Sequence, residues 1–184
     1  MSLIKCRRKL DHYNDAIYQV ASQPLKDALD LAYLTGQRPA DIIAMSEADI
    51  QDKILLVQQG KTNAKLRISV TGELKLLLER ILKSKQAHKV RTSQLICTET
   101  GRPISQNALR LRFDKARDKA IKQNPAIAKD VKHFQFRDLR AKAASDKAES
   151  ETMRDAQLQL GHSSMAMTER YVRQRRGQKI SPTR

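Results

Sequence analysis

Leu25, Ala28, Leu29, Ala32 and Tyr33 recur at i, i+3, i+4, i+7 and i+8, in a repeat that starts just after Pro24 and stops at Gly36. That period puts five apolar side chains on one stripe of an α-helix. Proline is tolerated in a first helical turn, and glycine just past the last turn can take the left-handed conformation that closes it. A stripe of this kind has to be buried against other elements, and most of the candidates are helices. In a lead-in over residues 1–23, Asp15, Ala16, Ile17, Val20 and Ala21 fall near helical spacing. After Arg38-Pro39 a short helix carries Ile42, Ile43 and Met45. A leucine-dense helix follows from Glu73 to Lys83, Ser105 caps a long helix through Gln123, and further helices occupy 136–150, 152–160 and 164–173.

One stretch departs from the helical period. ILLVQQ (54–59) and LRISV (66–70) are rich in branched side chains and flank GKTNAK, which is a hairpin signal. A short apolar run, LICT (95–98), leads into the turn TETGRPI. The expected fold is α+β and mostly α-helical, a single domain over residues 24–173 with one small antiparallel sheet and a basic tail over 174–184. With no Trp, three Phe and four Tyr, the core is expected to consist of Leu, Ile, Ala and Met.

Charge narrows the partners. Thirty-six Lys and Arg against twenty Asp and Glu leave a net charge of +16, which favours nucleic acid, with an anionic membrane as the weaker rival. No stretch approaches the ~18 uninterrupted apolar residues of a membrane span. The opening MSLIKCRRKLDHY lacks the apolar run of a secretory signal. Cys6 and Cys97 form neither a disulfide framework nor a paired metal-ligand spacing, so a reducing, cytosolic setting is expected. There is no HExxH and no clustered carboxylate set, so no metal site is expected either.

Several side chains suit chemistry, and each has a plainer role open to it. Arg38, in LTGQRPADI, stands between a helix stop and Pro39, where it could serve a site or cap the preceding carbonyls. Lys61, in QQGKTNAK, is a hairpin lysine able to reach a DNA groove or donate a proton, or simply a solvated turn residue. Arg137 and Arg140, three apart in FRDLRAKAASD, suit a phosphate clamp, unless Asp138 and Asp146 relieve their repulsion. His162 follows the stop at Gly161, and Ser163 or Ser164 can cap the next helix. A histidine there is an ordinary hydrogen-bonded residue or a functional one. Tyr171, nine residues on, is a half-buried core residue or a phenol among Arg170, Arg173, Arg175 and Arg176, whose charges favour its anionic form.

Together these segments resemble the tyrosine recombinases of the phage-integrase family. LTGQRPADI resembles their first arginine box, T-G-x-R-x-x-E/D-I, and VQQGKTNAKLRISV resembles their strand–K-T–strand element. FRDLRAKAAS resembles their H-x-L-R box, and LQLGHSSMAMTERYV their L-G-H-x-x…T…Y terminal box. Order and spacing both fit, from Leu25 to Tyr171. The resemblance implies a catalytic domain that cleaves and rejoins DNA through a covalent 3′-phosphotyrosine, without cofactor or metal. It implies Arg38 and Arg140 as catalytic arginines, Lys61 as the proton donor to the leaving oxygen, His162 as a charge stabiliser and Tyr171 as nucleophile.

Arg137 departs from the pattern, standing where the second box most often has His. An arginine stays protonated, so it can be a further phosphate donor but cannot accept the tyrosine proton; either water or a phosphate oxygen takes it, or activity is lower. His133 does not replace it in register, lying seven residues before Arg140 instead of three. The resemblance further implies double-stranded DNA as partner, a homo-tetramer in synapsis and a monomer when free, with accessory DNA-bending proteins. The implied setting is bacterial cytoplasm, at the nucleoid or phage-encoded. Family members usually add an N-terminal DNA-binding domain, so a fragment or a shortened member is expected. Two alternatives are a type IB topoisomerase-like enzyme and a non-catalytic DNA-binding or regulatory module on the same scaffold.

Overall fold

The structure, a computed structural model, describes residues 11–176; Cys6 and the tail from residue 177 lie outside them. The helix opened by Pro24 is α2 (Gln23–Thr35), and Gly36 ends it in the left-handed region at φ 69°. Leu25, Ala28, Leu29 and Ala32 are buried as the repeat requires, and so is Leu31 off the stripe, because α2 is covered on several sides. It packs against α4 (Gly72–Gln86), α5 (Gln106–Gln123) and α7 (Asp138–Ser150). Tyr33, the last member of the stripe, is only half-buried, since its hydroxyl donates to Oδ2 of Asp146 on α7 at 2.9 Å. The lead-in forms α1 (Asp11–Val20), which packs on α5 and contributes the fully buried Ile17 to the same core.

Arg38 is extended at φ −73° and ψ 156°, as the residue before a proline is forced to be, and α3 (Pro39–Ala44) starts immediately after it. The sheet has three strands in the order β1-β2-β3: β1 (Ile50–Gln51), β2 (Ile54–Gln58) and β3 (Lys65–Ser69), antiparallel throughout. Register pairs Ile54 with Ser69 and Gln58 with Lys65, and turns Leu55 and Val57 into the core. The two-residue strand β1 escapes sequence reading because its turn, Asp52-Lys53, takes positive φ at both positions without a glycine.

Ser105 caps α5 as expected, its Oγ accepting from the Ala108 N–H at 3.2 Å. The helix α6 (Ala128–Val131) is too short for its period to show in sequence. α8 (Met153–Leu160) is capped by Thr152 and stopped by Gly161 at φ 62°, and α9 (Met165–Arg176) completes the described chain. Among the described residues no helix is long and apolar enough to cross a membrane.

Leu, Ile and Ala make up most of the core, as expected, but methionine contributes only Met45 among the described residues, and all three phenylalanines are buried. Phe113 on α5 stands 6.0 Å from the ring of Phe134 and 5.9 Å from that of Phe136, so the rings tie α5 to the segment leading into α7. Phe113→Ala is therefore expected to lower unfolding stability by about 3–5 kcal/mol, from lost transfer energy and the cavity left behind. A urea-denaturation midpoint unchanged by that substitution would contradict this packing.

Candidate active site

Helix ends place the candidate site residues. The carbonyls at a helix C-terminus have no intrahelical partner and carry the negative end of the helix dipole. Two such ends meet at Arg140, on the buried side of α7: Nη1 donates to the Gly36 carbonyl and Nη2 to the Leu160 carbonyl, both at 2.7 Å. Nε of Arg140 is buried with no hydrogen-bond partner in the protein. Burial pushes the guanidinium pKa down to about 10, with nearby Arg38 lowering it further and Tyr171 and Asp41 opposing. At neutral pH it is still charged. The carbonyl-capping role open to Arg38 in the sequence thus falls to Arg140.

Arg38 instead donates from Nη1 to Oε1 of Gln59 at 3.0 Å and lies 3.7 Å from Asp41. Of the aspartates near the second arginine box, Asp146 accepts from Tyr33 and Lys142, and Asp138 accepts from the Gln135 N–H. Arg38 and Arg140 bring two like charges to one region, each hydrogen-bonded on its protein side, which is an arrangement that attracts an anion.

The backbone of His162 is held on both sides: its N–H donates to the Gln157 carbonyl at 3.2 Å, and Nε2 of Gln157 donates to its carbonyl at 3.0 Å. The Nδ1 atom of its ring lies 3.0 Å from Oγ1 of Thr168, a fully buried α9 residue, which leaves Nε2 for the site. Burial lowers the imidazole pKa to about 4, and the charges of Arg140 and Arg38 reinforce the shift. The ring is neutral at pH 7. Tyr171, one helical turn beyond Thr168, is 39% exposed with its ring centroid 5.3 Å from that of His162.

The structure thus gathers Arg38, Arg140, His162 and Tyr171. Lys61 is exposed at the hairpin tip, and its neighbours are tied towards Arg38: the Gly60 N–H donates to Asp41 at 2.9 Å, and the Thr62 hydroxyl to Gln59 at 2.7 Å. Arg137 is exposed at the start of α7, and with Pro39, Arg110, Arg117, Lys132 and the exposed His133 it lines a cavity of about 630 Å³. Among the described residues no group of three His, Cys, Asp or Glu is placed to hold a metal. Gln59 and Thr168 are parts of the site that sequence reading did not single out. Both lie inside the quoted motifs, but nothing in an isolated glutamine or threonine shows that its side chain will be buried against Arg38 or His162.

A helical frame with a small sheet, carrying this quartet, defines the catalytic-domain class of tyrosine recombinases. The chain belongs to the phage integrase family, whose profile matches residues 8–177. It is similar to the integrase of Escherichia phage HK022, with 32% identity over 162 residues that cover 85% of this chain and 44% of that protein. The integrase of Escherichia phage lambda is 32% identical over 165 residues, covering 84% and 44%. The chain thus spans less than half the length of these curated relatives. Among solved structures, the lambda integrase catalytic core superposes at TM-score 0.69 with 26% identity, covering 86% of this chain and 92% of that one. A lambda integrase tetramer bound to a Holliday junction gives TM-score 0.75 and 25% identity over 98% of this chain and 52% of that one.

His162 provides a direct test of the electrostatics. Its folded pKa of about 4 lies below the unfolded value of about 6.5, so its contribution to stability is full above pH 6.5 and is lost as pH falls from there towards 4. An NMR titration should place its midpoint near 4, and Arg38→Ala should move it upwards. A midpoint at or above the unfolded value in the wild-type chain would contradict the geometry.

Proposed function

We propose that this chain is the DNA-cleaving domain of a site-specific recombinase, and that it works by transesterification at one phosphodiester. The observation that carries this reading is the gathering of Arg38, Arg140, His162 and the accessible Tyr171 around a common region. The phenolic oxygen of Tyr171 attacks phosphorus, the bond to the 5′-oxygen breaks, and the 3′-phosphate remains on the tyrosine until another 5′-hydroxyl reverses the step. The bond energy is conserved, so no nucleotide cofactor is required.

The negative charge that builds up on the non-bridging oxygens is met by Arg38 and Arg140, with Arg137 as a further donor. Lys61 supplies the proton to the departing 5′-oxygen. Arg137 cannot take the phenol proton, and an imidazole whose pKa is held at about 4 is too weak a base for it, so in this reading the proton passes to water or to a phosphate oxygen. Neutral His162, adjacent to Tyr171 and with Nδ1 accepting from the Thr168 hydroxyl, donates from Nε2–H to a phosphate oxygen.

The partner is double-stranded DNA. A net charge of +16 and the basic cavity beside Pro39 support backbone contact, and the solved lambda integrase tetramer on a Holliday junction supports a tetramer at synapsis. Accessory DNA-bending proteins and a bacterial cytoplasmic setting go with the same reading. Neither the topoisomerase-like nor the non-catalytic alternative has an observation of its own.

On a nicked suicide duplex analysed by denaturing gel, Tyr171→Phe is expected to abolish the covalent adduct while DNA binding persists. Arg38→Ala is expected to slow adduct formation by roughly 10²–10³-fold, the usual effect of removing one transition-state donor. An adduct surviving in the Phe variant, or an unchanged rate in the Ala variant, would overturn these assignments.

A further inference from the structure

The side-chain amide of Gln59 is fully enclosed, and all its hydrogen-bonding capacity is used. Its Oε1 accepts from Nη1 of Arg38 at 3.0 Å and from the Thr62 hydroxyl at 2.7 Å. Its Nε2 donates to Oε1 of Gln37 at 2.7 Å and to the Leu160 carbonyl at 2.8 Å. An amide has two donor hydrogens and two acceptor lone pairs, so none is left over. The orientation is also dictated. The Leu160 carbonyl can only accept and the Arg38 guanidinium can only donate, so a flipped amide would set like against like at both ends. Gly161 completes the seat: a Cβ there would lie 3.0 Å from Nε2 of Gln59, at a φ of 62° that side chains rarely adopt.

Each partner belongs to a different part of the site. Arg38 follows the stop of α2. Thr62 follows Lys61 in the hairpin. The Leu160 carbonyl also receives Nη2 of Arg140 and stands two residues before His162. A buried amide satisfied in this way is stiff, because rotation strands a donor or an acceptor without a partner.

We propose that Gln59 is a positioning residue that locks the Lys61 hairpin to Arg38. Proton delivery to the leaving oxygen and stabilisation of the phosphate charge then converge on the same phosphorus. Gln59 itself touches neither DNA nor the reacting atoms. The inference rests on the transesterification reading above.

Leaving-group chemistry separates the two arms of this lock. Breaking the bond from phosphorus to the 5′-oxygen requires a proton on the departing alkoxide. With sulfur in that bridging position the group leaves as a thiolate, a far weaker base that needs no proton. A defect caused by a displaced Lys61 disappears on the sulfur duplex, and one caused by a displaced Arg38 remains.

Single-turnover cleavage by the full chain on nicked oxygen- and sulfur-bridged duplexes provides the test. Lys61→Ala should be slow on oxygen and restored on sulfur. Gln59→Leu should be slowed by about 10²-fold on oxygen, a loss typical of small misplacement, and should recover only in part on sulfur. Thr62 is exposed, so Thr62→Ala cuts the hairpin link without disturbing the core. It should be slowed by about two- to tenfold, one ordinary hydrogen bond, and should recover fully on sulfur. Equal deficits on both duplexes for Gln59→Leu and Thr62→Ala, or no deficit on oxygen, overturn the proposal, and full recovery of Gln59→Leu removes the arm through Arg38. A wild-type chain that forms no adduct on either duplex fails at the transesterification reading itself, and the premise falls with it.

Discussion

Helices α2 and α8 end at glycines, and the carbonyls exposed there converge on the guanidinium of Arg140. The negative ends of both helix dipoles stabilise a cation that burial alone would disfavour. Each hydrogen bond to such a charged group contributes roughly 1.5–3 kcal/mol. Without the guanidinium, two buried carbonyls would lose their charged partner. The same bridge sets the geometry of the candidate site, because Arg38 lies two residues beyond Gly36 and His162 two residues beyond Leu160. Structural cohesion and site geometry depend on the same side chain.

The resting site is electrostatically tense in a directed way. Burial and the nearby Arg38 lower the preference of Arg140 for charge, and burial together with both arginines holds His162 neutral. A phosphate entering among them relieves that repulsion, and a transition state with more charge on its oxygens relieves it further. The donors are fixed beforehand by carbonyls and amides on the protein side, so little reorganisation accompanies the reaction. Substituting Arg137 for the usual histidine adds positive charge at the edge of this region. In the proposed mechanism His162, kept neutral by burial and by the same two arginines, donates to the phosphate and does not accept the phenol proton.

Much of this was legible in the sequence because it is written in local signals. The stops at Gly36 and Gly161, the cap at Ser105 and the hairpin around Lys61 each depend on a few adjacent residues. Long-range features were not. The strand β1 has no glycine in its turn, and the phenylalanine cluster joins Phe113 to residues 21 and 23 positions further on. That Asp146 would accept from Tyr33 and Lys142 depends on how the helices pack. Gln59 is the sharpest case. As a letter it is an ordinary polar residue at a strand end, and its importance comes from four partners that only tertiary structure assembles.

The central claim is that these side chains serve one phosphorus atom and that the phenol of Tyr171 forms the bond to it. The covalent adduct of the wild-type chain with a nicked duplex can be digested with trypsin and the DNA-linked peptide sequenced by mass spectrometry. The account predicts that the phosphate is carried by the peptide Tyr171–Arg173, attached through the tyrosine oxygen. An adduct mapped to any other side chain would contradict it.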